Sequence, residues 1–137
     1  MQASTGFEKF ITGGLINTGH VSGVLLLTRQ GQTMYSFGDL QHLPQEEVKQ
    51  FLSLFERYSS EGLANKDFHI SPPKRRGWIF KTYQRTFSSV YATCSRDSGG
   101  LTVCNLPYGI LICVYGPTTL PGEAIKAIEN FCDVMRR

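Results

Sequence analysis

The chain has 137 residues, 41% of them hydrophobic and 18% charged, with a formal charge of +3. That length suits one domain with one core, and the hydrophobic share excludes a disordered chain. The basic excess is too small for a nucleic-acid binder, and suits a single patch that meets an acidic partner or an anionic surface.

Thr5 and Glu8 have the T-x-x-E spacing of a capping box, in which each side chain satisfies a backbone N–H of the first helical turn. Phe7, Phe10 and Ile11 follow at helical spacing, and Gly13-Gly14 stops the helix. Val21 to Thr28 contains the continuous apolar run Val24 to Leu27, which predicts a strand buried on both faces. Arg29 to Gln32 is a turn, and Thr33 to Phe37 is the returning strand of a hairpin.

Leu43-Pro44-Gln45-Glu46-Glu47 opens a second helix, with proline where a missing N–H costs nothing and two carboxylates at the positive end of the dipole. Val48, Phe51, Leu52 and Phe55 make its apolar stripe, and it should end near Tyr58 to Gly62. Strands are predicted over 67–70, 78–83, 86–93, 101–105 and 110–115. Their short connections demand antiparallel neighbours, because a parallel crossover needs a dozen residues or more. Ile110 to Val114 is apolar at every position and needs cover on both faces. A last helix begins near Pro121, with Ala124, Ile125, Ile128, Phe131, Cys132 and Met135 as its stripe and Arg136-Arg137 at its negative end. The expected fold is α+β, a single domain over residues 1–137: one central antiparallel sheet with helices on both faces. The terminal helices should touch, since their stripes both need cover and one sheet face can supply it.

Chemistry is sparse. No run approaches the ~18 apolar residues of a membrane span, and residues 1–9 lack the basic-then-apolar pattern of a secretory signal. Cys94, Cys104, Cys113 and Cys132 form no C-x-x-C pair, which predicts buried free thiols in a reducing compartment. His20, His42 and His69 have no metal-ligand spacing. Ser98-Gly99-Gly100 lies between two predicted strands, so a hairpin turn describes it better than a phosphate loop. Glu46 and Glu47 are neighbours that cannot face each other as an acid and a base; a solvated first turn is expected. Without a catalytic constellation the chain reads as a binding protein rather than an enzyme, with no cofactor.

Two features point to binding. Phe7, Phe10 and Tyr35 offer rings of the kind that grip proline-rich helices, though rings at such positions also serve as plain core. Lys74, Arg75, Arg76, Lys81 and Arg85 surround Trp78, as a basic patch or as a solvated loop.

The pattern as a whole resembles profilin, the family of small actin-monomer-binding proteins. Thr5 to Phe10 sits where profilins carry a tryptophan and, three residues later, a tyrosine, and Tyr35 sits where they carry a strand tryptophan. Leu43 to Val48 is similar to the Pro-Glu-Glu-Ile start of their second helix, and Gly62-Leu63 to a Gly-Leu after it. Gly99 to Tyr115 follows a plant-type profilin pattern without gaps, and 128–133 echoes a Val-Glu-x-Leu-Gly-Asp ending.

The resemblance implies a profilin-like sheet with paired terminal helices. It implies a proline-rich site at Phe7, Phe10, Tyr35, Val134 and Met135, weakened because the two indole donors are gone and Val134 replaces a tyrosine. It implies a monomeric-actin site at Lys81, Arg96, Lys126 and Glu129, with Thr93, Ser95 and Ile125 departing from the usual Arg, Lys and Asn. A phosphoinositide site would use Lys74, Arg75, Arg76, Lys81 and Arg85. The expected role is regulation of actin polymerisation in the cytoplasm and cytoskeleton. The alternatives are a profilin-fold adaptor that has lost actin and acts through phosphoinositides or another protein, and a small-molecule sensor of similar architecture.

Overall fold

The computed structural model of the chain describes residues 6–52, 54, 55, 67–71, 78–94 and 99–136, with side chains from Glu8 onward. Among these residues the elements are α1 (Gly6–Gly14), a 3-10 turn (Ile16–Thr18), β1 (Gly23–Leu27), β2 (Thr33–Gly38), α2 (Gln45–Lys49), β3 (Asp67–Ile70), β4 (Trp78–Arg85), β5 (Ser89–Thr93), β6 (Gly100–Leu106), β7 (Gly109–Tyr115) and α3 (Pro121–Met135). The strands form one antiparallel sheet in the order β2-β1-β7-β6-β5-β4-β3.

The two all-apolar runs, β1 and β7, are neighbours, second and third in that order, and every residue of both is buried. Alternation along each strand sends its side chains to two separate cores. Val24, Leu26, Leu111, Cys113 and Tyr115 join Ile11, Leu15, Ala124, Ile128, Phe131 and Cys132 on the face covered by α1 and α3. Leu25, Leu27, Ile110, Ile112 and Val114 join Val48, Phe51 and Leu54 on the face covered by α2 and the turns after it. The terminal helices meet as expected. The Phe10 and Phe131 rings are 5.8 Å apart and tilted by 56°, and a methyl on Gly14 would press on the Phe131 ring at 3.1 Å. All four cysteines are buried free thiols.

Three sequence expectations need correction. The second helix is short. Its regular hydrogen bonding stops at Lys49, and Phe51 and Leu52 continue it only as turns, donating to Val48 and Lys49 three residues back. Pro44 stands just outside it, in extended conformation. Its expected end, and Thr5 of the capping box, lie outside the described residues. Second, the β4–β5 connection falls at residues 86–88, not at 84–85. Thr86 sets it: its Oγ1 accepts the N–H groups of Ser88 and Ser89, and its own N–H donates to the Ser89 carbonyl.

The third correction concerns Glu47, which is not merely solvated. Its carboxylate accepts the Ser71 N–H at 2.8 Å. Gln50, one turn on, donates to the His69 carbonyl at 2.8 Å and accepts the His69 N–H at 3.0 Å. Two side chains of the α2 segment thus occupy backbone groups along the outer edge of β3, which would otherwise offer itself as a pairing template.

Candidate binding faces

On the α1/α3 face, α3 packs over β6 and β7 and leaves the outward side chains of β3 and β4 exposed. Trp78 and Phe80 point into the α2-side core, so Ile79 and Lys81 point the other way, into the open. Lys81 stands opposite Thr93, Thr93 opposite Gly100 and Gly100 opposite Tyr115, one row across four strands. Gly100 makes room in that row. A Cβ there would overlap the Tyr115 ring, which lies flat across the strand. Burial pushes the Tyr115 hydroxyl up to about 12.

The candidate actin-site residues separate on this surface. Lys81 and Lys126 are exposed. Lys126 borders a shallow cleft of about 410 Å³ lined by Gly14, Thr18, His20, Glu123, Ala127 and Asn130. Glu129 turns toward the sheet instead, about 60° round the helix from Lys126, and accepts a 2.5 Å hydrogen bond from the Tyr91 hydroxyl. Burial, and then this bond, push the Tyr91 phenol upward. Glu129 is therefore an anchor between α3 and β5. Arg96 and Ser95 lie outside the described residues. The pattern of charges gave no hint of Ile79, Tyr83 and Leu120, large apolar side chains exposed by 37%, 53% and 70%. The strand alternation of β4 was the signal that would have put Ile79 in the open.

The basic cluster divides. A bulge between Thr82 and Gln84 shifts the register by one residue, so Lys81 pairs with Thr93 but Arg85 with Val90. Without it, Lys81 and Arg85 would share a face; with it, they lie on opposite faces. Arg85 donates to the Leu54 carbonyl at 2.7 Å and lies 5.3 Å over the Phe55 ring, on the α2 side. It does not join Lys81. Lys74, Arg75 and Arg76 lie outside the described residues.

The candidate proline site is better assembled. Phe10 is 45% and Val134 41% exposed, neither of them plain core. Tyr35, opposite Leu26, and Met135 are half-buried against the same α1/α3 cluster. The side chain of Phe7 lies outside the described ones.

A family model described as Profilin matches residues 5–137. The chain is 25% identical over 124 residues to the profilin of Saccharomyces cerevisiae, covering 90% of this chain and 91% of that one. Among solved structures, Acanthamoeba castellanii profilin II superposes with a TM-score of 0.72 at 20% identity, over 92% of this chain and 93% of that one. LokiProfilin1, solved in complex with rabbit actin, superposes with a TM-score of 0.77 at 13% identity, over 99% and 98%. A helix-paired sheet of this order and a family match over nearly the whole length agree: the chain belongs to the profilin family.

Proposed function

We propose that the chain, acting as one unit over residues 1–137, binds monomeric actin and so regulates its polymerisation, without catalysing a reaction. The observation that carries this is the open outer face of β4, where Ile79, Lys81 and Tyr83 stand exposed in one strand. Aromatic and aliphatic anchors beside an exposed lysine suit an acidic protein partner. Membership of the family supports the reading, as does the fold shared with LokiProfilin1 and LokiProfilin2, both solved with rabbit actin. Glu129, held by Tyr91, contributes by fixing α3 rather than by facing the partner. The test is a titration of labelled monomeric actin. Wild type binds at micromolar concentration, and Lys126→Glu weakens binding at least about tenfold, as expected of a reversed rim charge. Equal binding by the variant removes Lys126 from the interface.

Two further ligands belong to this reading. Phe7, Phe10, Tyr35, Val134 and Met135 receive proline-rich segments weakly. Lys74, Arg75, Arg76 and Lys81 hold phosphoinositide headgroups, without Arg85, whose guanidinium is committed to the opposite face. Such a protein works in the cytoplasm, at the cytoskeleton.

A further inference from the structure

Three of the four cysteines, Cys104, Cys113 and Cys132, are buried in the core between the sheet and the terminal helices. Cys104 lies on β6 and Cys132 in the last turn of α3. Two contacts bring this pair together. Arg136 donates from Nε and Nη2 to the Asn105 carbonyl at 3.2 and 2.9 Å, which lays the end of α3 over the end of β6. Cys132 is one helical turn before Arg136, whose N–H donates to the Cys132 carbonyl at 2.9 Å. Cys104 is the inward-facing neighbour of Asn105. The Cys132 and Cys104 thiols accordingly share a hydrogen bond. Ser89, opposite Cys104 on β5, donates its hydroxyl to the Cys104 sulfur at 3.7 Å. Cys113 stands opposite Thr102 rather than Cys104.

Alanine or valine would fill these core positions as well. A thiol pair adds one property that they lack, reversible covalent linkage. Two sulfurs within hydrogen-bond reach need a shift of only about 2 Å to reach bonding distance.

We propose that Cys104 and Cys132 form a reversible disulfide, driven by hydroperoxide, that fastens the last turn of α3 to β6. In the first step the Cys132 thiolate attacks one oxygen of the hydroperoxide. The O–O bond breaks, Cys132 becomes a sulfenic acid, and the other oxygen leaves with the thiol's proton, as water or an alcohol. In the second step the Cys104 thiolate attacks the Cys132 sulfur, and the departing hydroxide takes the Cys104 proton and leaves as water. Two thiols are oxidised and one hydroperoxide is reduced. Thiol–disulfide exchange with a small thiol returns both cysteines.

Access sets the rate. The bond to Cys104, and then burial, push the Cys132 thiol upward, so the closed protein holds it unreactive. Reaction follows opening of the last turn of α3, which Arg136 restrains through Asn105. The pair therefore stays reduced at the ordinary poise of a reducing compartment and links under sustained oxidant. The proposal rests on neither the actin nor the proline-rich reading.

The test treats the reduced, full-length wild-type chain with hydrogen peroxide, alkylates the remaining thiols in denaturant and maps the linked peptides by mass. One intramolecular link forms, between Cys104 and Cys132, and dithiothreitol reverses it. The linked chain melts about 5–15 °C higher than the reduced one, as expected from closing a loop of about 30 residues. Cys113→Ala still forms the link, whereas Cys104→Ala and Cys132→Ala do not. Arg136→Ala, which frees the last turn, forms it faster; an unchanged rate overturns the opening route. Four intact thiols after treatment, a link through Cys94 or Cys113, a disulfide-bonded dimer on a non-reducing gel, or a linked chain with an unchanged melting temperature each overturns the proposal. The wild-type mapping decides this even where a variant fails to fold.

Discussion

Tyr115 and Gly100 show how one residue pair shapes a surface. The ring closes the α1/α3 core at the sheet end nearest the start of α3, and only a residue without a Cβ can lie beneath it. Gly100→Ala should therefore destabilise the fold by about 1–3 kcal/mol through overpacking, measurable by urea denaturation. The buried phenol also predicts a pH dependence. The folded chain holds this proton more tightly than the unfolded chain, from an ordinary value of 10 up to about 12. The stability it contributes is complete below pH 10 and is lost as pH rises toward 12. Tyr91 and Tyr108 shift in the same direction, so they steepen the fall. Tyr115→Phe should flatten part of that alkaline loss; an unchanged profile would show that the hydroxyl plays no part in it.

At the scale of elements, the helices depend on contacts that lie far apart in the chain. Phe131 joins α3 to Phe10 and Gly14 of α1. Phe131→Ala should cost about 3–5 kcal/mol and should also loosen the pairing that presents Phe10 and Val134. Polyproline titration checks the second effect. Wild type should bind about tenfold or more weakly than a profilin with both indoles, since each lost donor removes roughly 0.5–1.5 kcal/mol, and Phe131→Ala should bind more weakly still. Affinity equal to that of a two-tryptophan profilin would show that the donors contribute little. Gln50 tests the other face. Gln50→Ala removes both bonds to His69, so the His69 amide should exchange faster with deuterium while the amides of β1 and β7 keep their protection.

Much at this scale was legible in the sequence. The unbroken apolar runs of β1 and β7 fixed two strands that are covered on both faces, and the 3.6-residue stripes fixed which helix faces are inward. What was not legible depends on single long-range bonds. The hairpin at 86–88 follows from the Thr86 hydroxyl, which propensity alone does not place. The separation of Lys81 from Arg85 follows from one bulged residue, and no pattern of charges reveals a register shift. Glu129 reads as a surface carboxylate until Tyr91, 38 positions away, is brought against it.

For the whole molecule, the sheet divides its tasks between faces and ends. One face is sealed by the α2 segment, and the other carries the paired terminal helices beside an open strip of β3 and β4. The proposed proline-rich site sits on the helix pair and the proposed actin face on the open strip. Separate surfaces allow a bound proline-rich segment to leave the actin face free. The open strip is where we propose that an actin monomer sits. The most direct measurement adds the purified chain, in rising excess, to actin monomers and follows spontaneous assembly by fluorescence. Wild type should give a longer lag and slower nucleation, and Lys126→Glu a smaller effect. Assembly that proceeds unchanged in large excess of the wild-type chain would contradict it.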